Sequence, residues 1–74
     1  MGRTATTDPD AIAFGAKVRA RRTDLGLTQE QLAEKCGLHF TYVSSVERGE
    51  RNVTLRTIVR LAGALDTCPA ALVS

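Results

Sequence analysis

The sequence predicts an all-α, compact five-helix fold, and three observations carry that expectation. Residues suited to capping helix starts (Asp8, Thr28, Thr54) each precede a stretch whose apolar residues recur three or four apart. Gly26, Gly37 and Gly49, then Asp66-Thr67, mark the ends of four helical stretches. The 74 residues contain no internal repeat and no linker long enough to separate a second domain, so one domain is expected.

Taken in order, residues 1–8 (MGRTATTD) have no periodicity and read as a flexible arm, leaving 9–74 as the folded domain. Asp8-Pro9-Asp10 combines a cap, a proline at the first helical position and an acid in the first turn. Helix one is expected over 9–25, with Ile12, Phe14, Val18 and Leu25 inward and Arg21 where the stripe calls for an apolar residue. Thr28 to Gln31 fits a capping box, and Leu27 with Leu32 a hydrophobic staple. Helix two is expected over 29–36, burying Leu32, Ala33 and Cys36. Helix three, 40–48, turns Val43 and Val46 inward; its β-branched residues lower its own propensity, so packing must hold it. Thr54 caps a fourth helix with a stripe of Leu55, Ile58, Val59, Ala62 and Leu65, and Pro69-Ala-Ala-Leu-Val makes a short fifth.

Composition excludes several classes. Apolar residues are 43% and charged residues 24%, the balance of an ordinary globular chain rather than a disordered one. Apolar runs of three or four residues are far too short to span a bilayer, and no secretory signal opens the chain, so a cytoplasmic protein is expected. Cys36 and Cys68 read as a pair of small buried hydrophobes. With His39 as the sole histidine, they leave a zinc site one ligand short, so neither metal nor cofactor is expected. His39 has no Cys, Ser or carboxylate at a useful spacing, and no phosphate loop is present; catalysis is not expected. The position of His39 before helix three suits a cap or a phosphate contact.

The net charge of +2 says little, but basic residues cluster at Lys17, Arg19, Arg21 and Arg22, at Arg48 and Arg51, and at Arg56 and Arg60. Segments 29–36 and 40–48, with a glycine turn between them, have the spacing of a helix-turn-helix, in which the second helix lies in the major groove. With Val43 inward, a turn of about 100° per residue puts Thr41, Ser44, Ser45 and Arg48 outward and Glu47 inward. That outward face carries no carboxylate, and its hydroxyls can approach base edges. Phe40 is open between the core and a thymine methyl or sugar.

The stretch GLTQEQLAEKCGLHFTYVSSVERGERNVTLRTIVRLAGAL closely resembles the phage-repressor and Cro-type helix-turn-helix family. The markers are Gly26-Leu27-Thr28-Gln29, Leu32-Ala33, Gly37 and Val46-Glu47-Arg48-Gly49. Within that family, Thr41-Tyr42-Val43-Ser44, Val46-Glu47-Arg48 and Arg51-Asn52 resemble the controller proteins of restriction–modification systems. The resemblance implies a repressor-like DNA-binding domain in which Phe40, Thr41, Ser44 and Ser45 read bases or nearby backbone. It places Gln29 on a phosphate at the amino end of helix two. Arg48, Arg51 and Asn52 are implied as backbone contacts, with His39 and Tyr42 assigned to the same backbone-facing set. Arg22 and Glu47 match a pair joining helix one to helix three. Two departures stand out: Phe40 replaces a common arginine, and Arg21 and Leu25 look exchanged between an apolar and a basic slot.

The function expected is a sequence-specific transcriptional regulator acting on a pseudo-palindromic double-stranded DNA operator. One recognition helix contacts too few base pairs for useful specificity, so a homodimer is expected, joined through helix four and Ala70-Ala71-Leu72-Val73, unless Leu72 closes the core instead. RNA polymerase is a further candidate partner. The rival reading is a protein-interaction module, such as an antitoxin bound to a toxin.

Overall fold

The computed structural model describes residues 8–73, so the arm expected over 1–8 lies, apart from Asp8, outside the described residues. Five helices follow one another: α1 (Pro9–Asp24), α2 (Gln29–Cys36), α3 (Phe40–Glu47), α4 (Leu55–Ala64) and α5 (Pro69–Val73). The caps stand where the sequence predicts them. Asp8 accepts from the Asp10 amide, Thr28 from Gln31 and Thr54 from Thr57. At α2 the capping box is reciprocal: Thr28 Oγ1 accepts from the Gln31 amide at 3.0 Å, and Gln31 Oε1 accepts from the Thr28 amide at 2.9 Å. Gly37, at φ +69°, ends α2 in the left-handed conformation, which reverses the chain into α3. Helices α1 and α3 each end one residue before their expected limits, because Leu25 and Arg48 serve as the caps.

Val18, Leu32, Val43, Val46, Leu61 and Leu65 have essentially no exposed surface and form the centre of the core. Helix α3 packs against α1 and α2, α2 against α4, and α5 closes over α1 and α4. Leu72 is 2% exposed, so it closes the core. Cys36 joins that core, its Sγ donating to the Leu32 carbonyl at 3.1 Å, and burial pushes its thiol pKa up. Cys68 is exposed, which corrects the expectation of two buried cysteines.

The inward face of α1 differs from the apolar stripe. Ala11, Phe14, Gly15 and Val18 are buried, whereas Ile12 and Leu25 are exposed. Small residues take the inward positions because the α3 backbone passes close by. A Cβ on Gly15 would collide with the Val46 carbonyl oxygen and stand 2.9 Å from that of Glu47. Arg21 is explained by a different need. Its Nε donates to the Leu65 carbonyl at 2.9 Å and its Nη2 to that of Asp66 at 3.0 Å, satisfying acceptors at the end of α4. With Leu25 exposed, no exchange of roles between the two positions occurs.

In an exposed helix, Gly→Ala stabilises by about 1 kcal/mol. Here Gly15→Ala is expected to destabilise by roughly 3 kcal/mol through overpacking. Thermal unfolding followed by circular dichroism should show Tm falling by roughly 10–20 °C; a rise would refute the close approach of α1 and α3.

Candidate nucleic-acid interface

Helix α3 owes its position to Glu47 at its carboxyl end. The Glu47 side chain is only 3% exposed, and that of Arg22 12%. Arg22 Nε donates to Glu47 Oε2 at 2.6 Å and Nη2 to Oε1 at 3.0 Å, a bidentate pair. The hydrogen bond to Glu47 raises the Arg22 pKa against the opposing effect of burial. Arg22 Nη1 also donates to the Leu27 carbonyl at 2.8 Å, which fixes the turn before α2. Gln29 Nε2 completes the network by donating to Glu47 Oε1 at 3.0 Å. The expected Arg22–Glu47 link is therefore present, and Gln29, expected on a phosphate, spends a side-chain donor inside the domain.

The start of α3 is exposed. His39 caps the helix: its Nδ1 accepts from the Thr41 amide at 3.2 Å and lies 2.7 Å from Thr41 Oγ1. The His39 ring stacks on Phe40, with centroids 5.4 Å apart and planes 25° apart. Phe40 is 43% exposed, which removes the core alternative for it. Thr41 is exposed and Ser44 half-buried on the same side.

Ser45 requires a correction. The helical wheel places it outward with Thr41 and Ser44, yet it is 5% exposed. The reason lies after the helix: beyond Gly49 the chain folds back, and the Glu50 amide donates to the Ser45 carbonyl at 3.0 Å. Ser45 Oγ donates to the Tyr42 carbonyl at 2.7 Å and accepts from Arg51 Nε at 3.2 Å. The Arg51 guanidinium also lies over the Tyr42 ring, 5.5 Å from its centroid. Tyr42, Ser45 and Arg51 thus brace the second flank of α3. Arg51 and Asn52 also line a cleft of about 510 Å³ with Asp10, Phe14, Lys17 and Leu72.

Arg48 has a partner that sequence reasoning missed. Its Nε and Nη2 donate to Glu50 at 2.9 and 3.0 Å, and its Nη1 donates to Ser44 Oγ at 2.6 Å. The Gly49 turn brings Glu50 beside the helix end, where helical spacing does not apply. A carboxylate two residues beyond an arginine, across a glycine, was the available signal.

Among the described residues no cluster of His, Cys, Asp or Glu is arranged to hold a metal, and no helix is long and apolar enough to cross a membrane. The helix-turn-helix family matches residues 18–72, a span that contains the centre of the core, the Arg22–Glu47 pair and all of α3. The chain belongs to the helix-turn-helix family. It is 62% identical over 50 residues to the control protein C.SmaI of Serratia marcescens, covering 68% of this chain and 60% of that relative. The chain thus spans about three fifths of that relative's length. The restriction–modification controller protein C.AhdI from Aeromonas hydrophila superposes with a TM-score of 0.85 at 49% identity, over 88% of this chain and 98% of that one. The tetramer of the controller protein C.Esp1396I, solved on its natural 35-base-pair operator, has a TM-score of 0.81 at 28% identity, over 88% of this chain and 86% of that one. The kinship to controller proteins read from Thr41–Ser44 and Val46–Asn52 is borne out.

Removing one member of a buried pair leaves the other charge uncompensated. Glu47→Ala is expected to cost about 3 kcal/mol of stability in urea unfolding. Adding Arg22→Ala to it should cost far less than the sum of the two single losses. Additive losses would show that the pair does not act as a unit.

Proposed function

We propose that this protein is a sequence-specific, non-catalytic regulator of transcription in the cytoplasm, a controller of a restriction–modification system with residues 9–74 as its DNA-binding domain. Helix α3 enters the major groove while α2 crosses the backbone. The observation that carries this reading is the outward side of α3: Phe40, Thr41 and Ser44 lie on a helix whose one carboxylate, Glu47, is buried in the Arg22 pair. A solvated face would carry charge for helicity and solubility; this one carries hydroxyls and a ring, which meet base edges and thymine methyls at short range.

The roles divide by position. Thr41 and Ser44 read bases, and Phe40 replaces guanine reading with apolar contact. Arg48, Arg51, Asn52, His39 and Tyr42 face the phosphates, and Gln29 does so through its backbone amide at the amino end of α2, since its side chain is committed to Glu47. Ser45 has no reading role. The protein acts as a homodimer on a two-fold site, a reading supported by Leu55, Val59 and Val73, which are 74%, 51% and 58% exposed on α4 and α5. The oligomeric operator complex of C.Esp1396I supports the same arrangement.

The test uses duplexes selected from a random pool. Binding should weaken steeply with salt, and each selected duplex should hold protein chains in pairs. Ser44→Ala is expected to relax preference at one base pair by roughly tenfold. Arg48→Ala should weaken binding to every sequence and lower the salt slope by about one. Equal losses on all sequences from both variants would overturn the division between reading and positioning.

A further inference from the structure

Glu50 has no place in the reading above, yet it is built against a residue that does. Its two carboxylate oxygens take the Nε and Nη2 edge of Arg48 at 2.9 and 3.0 Å. Ser44 takes Nη1 at 2.6 Å. Three of the roughly five N–H donors of the guanidinium are thereby occupied. The fork that grips Glu50 is the same one that grips a phosphate, because carboxylate and phosphate present matching pairs of oxygens. Both side chains are open to solvent, 55% exposed for Arg48 and 40% for Glu50. An exposed pair of this kind is weak and exchangeable, unlike the enclosed Arg22–Glu47 pair.

We propose that Glu50 is an internal counter-ion that competes with DNA phosphate for Arg48 and so limits the protein's affinity for duplexes. This rests on the DNA-binding reading and adds to it a residue that opposes binding. To engage Arg48, a phosphate displaces the carboxylate, so the loss of the internal pair offsets part of what the phosphate contact contributes. The contact also links phosphate binding to base reading. Arg48 also donates to Ser44 Oγ, so the arginine that meets the phosphate touches a base-reading hydroxyl as well. The hydrogen bond to Arg48 holds the Glu50 carboxyl below the usual carboxylate range, and Arg51 acts in the same direction. Arg48 and Arg51 are thus the charged groups that face it.

The experiment measures binding of a selected duplex and a random duplex across a salt series, for wild type, E50Q, R48A and the double variant. E50Q is expected to tighten both duplexes by about three- to tenfold at low salt. In the R48A background, E50Q should change affinity by less than about twofold. Weaker binding by E50Q would overturn the proposal, since Glu50 would then be positioning Arg48 for DNA. Equal tightening in the R48A background would overturn it too, as a general effect of charge. Carbon-detected NMR titration adds a readout without DNA: the Glu50 carboxyl should titrate higher in R48A than in wild type, and an unchanged titration would refute the pairing. A wild type that binds no duplex sinks the DNA-binding reading and this proposal together, an outcome distinct from all of these.

Discussion

The carboxylate of Glu47 is the point on which the arrangement of α1, α2 and α3 depends. It accepts two bonds from Arg22 on α1 and one from Gln29 at the start of α2, while Arg22 also holds the Leu27 carbonyl in the turn between those helices. A buried charge is tolerated only when it is paired and hydrogen-bonded, and these three contacts meet that condition. Their directional geometry fixes the end of α3 against two other elements, which apolar packing alone would leave adjustable. The close approach of the Gly15 backbone to the Val46 and Glu47 carbonyls sets the same helix from the other direction.

The two arginine–carboxylate pairs of α3 and its following turn illustrate how exposure decides what an ion pair does. Arg22–Glu47 is enclosed, so solvent and salt screen it little and its loss leaves an uncompensated charge. Arg48–Glu50 has similar bidentate geometry but sits in water, where such a pair contributes little to stability and exchanges readily with other ions. The first therefore serves the architecture of the reading helix, and the second is available to respond to a polyanion.

Much of the fold was legible in the sequence because its signals are local. The bounds of α2 follow directly from the Thr28–Gln31 box and Gly37, and Thr54 marks the start of α4 just as plainly. The Arg22–Glu47 link came from family resemblance, since a pair 25 residues apart leaves no periodic trace. Three features were not legible, each for a physical reason. Size alone assigns Ile12 inward, whereas close helix packing selects Ala11 and Gly15. A helical wheel assumes one dry side and so turns Ser45 outward, whereas the chain beyond Gly49 covers a second flank. Glu50 escapes notice because a glycine turn, rather than helical spacing, brings it to Arg48. Arg21 is the converse case: an anomaly in the apolar stripe that marks a real cap on α4.

The central claim is that a buried polar network presents α3 to the major groove as a rigid element. A crystal structure of the protein on a duplex selected from a random pool tests it most directly. The account expects α3 seated in the groove with Thr41 and Ser44 toward base edges, and the Arg22, Glu47 and Gln29 bonds kept as they are without DNA. A broken Arg22–Glu47 pair, or a duplex held by any face other than that of α3, would contradict it.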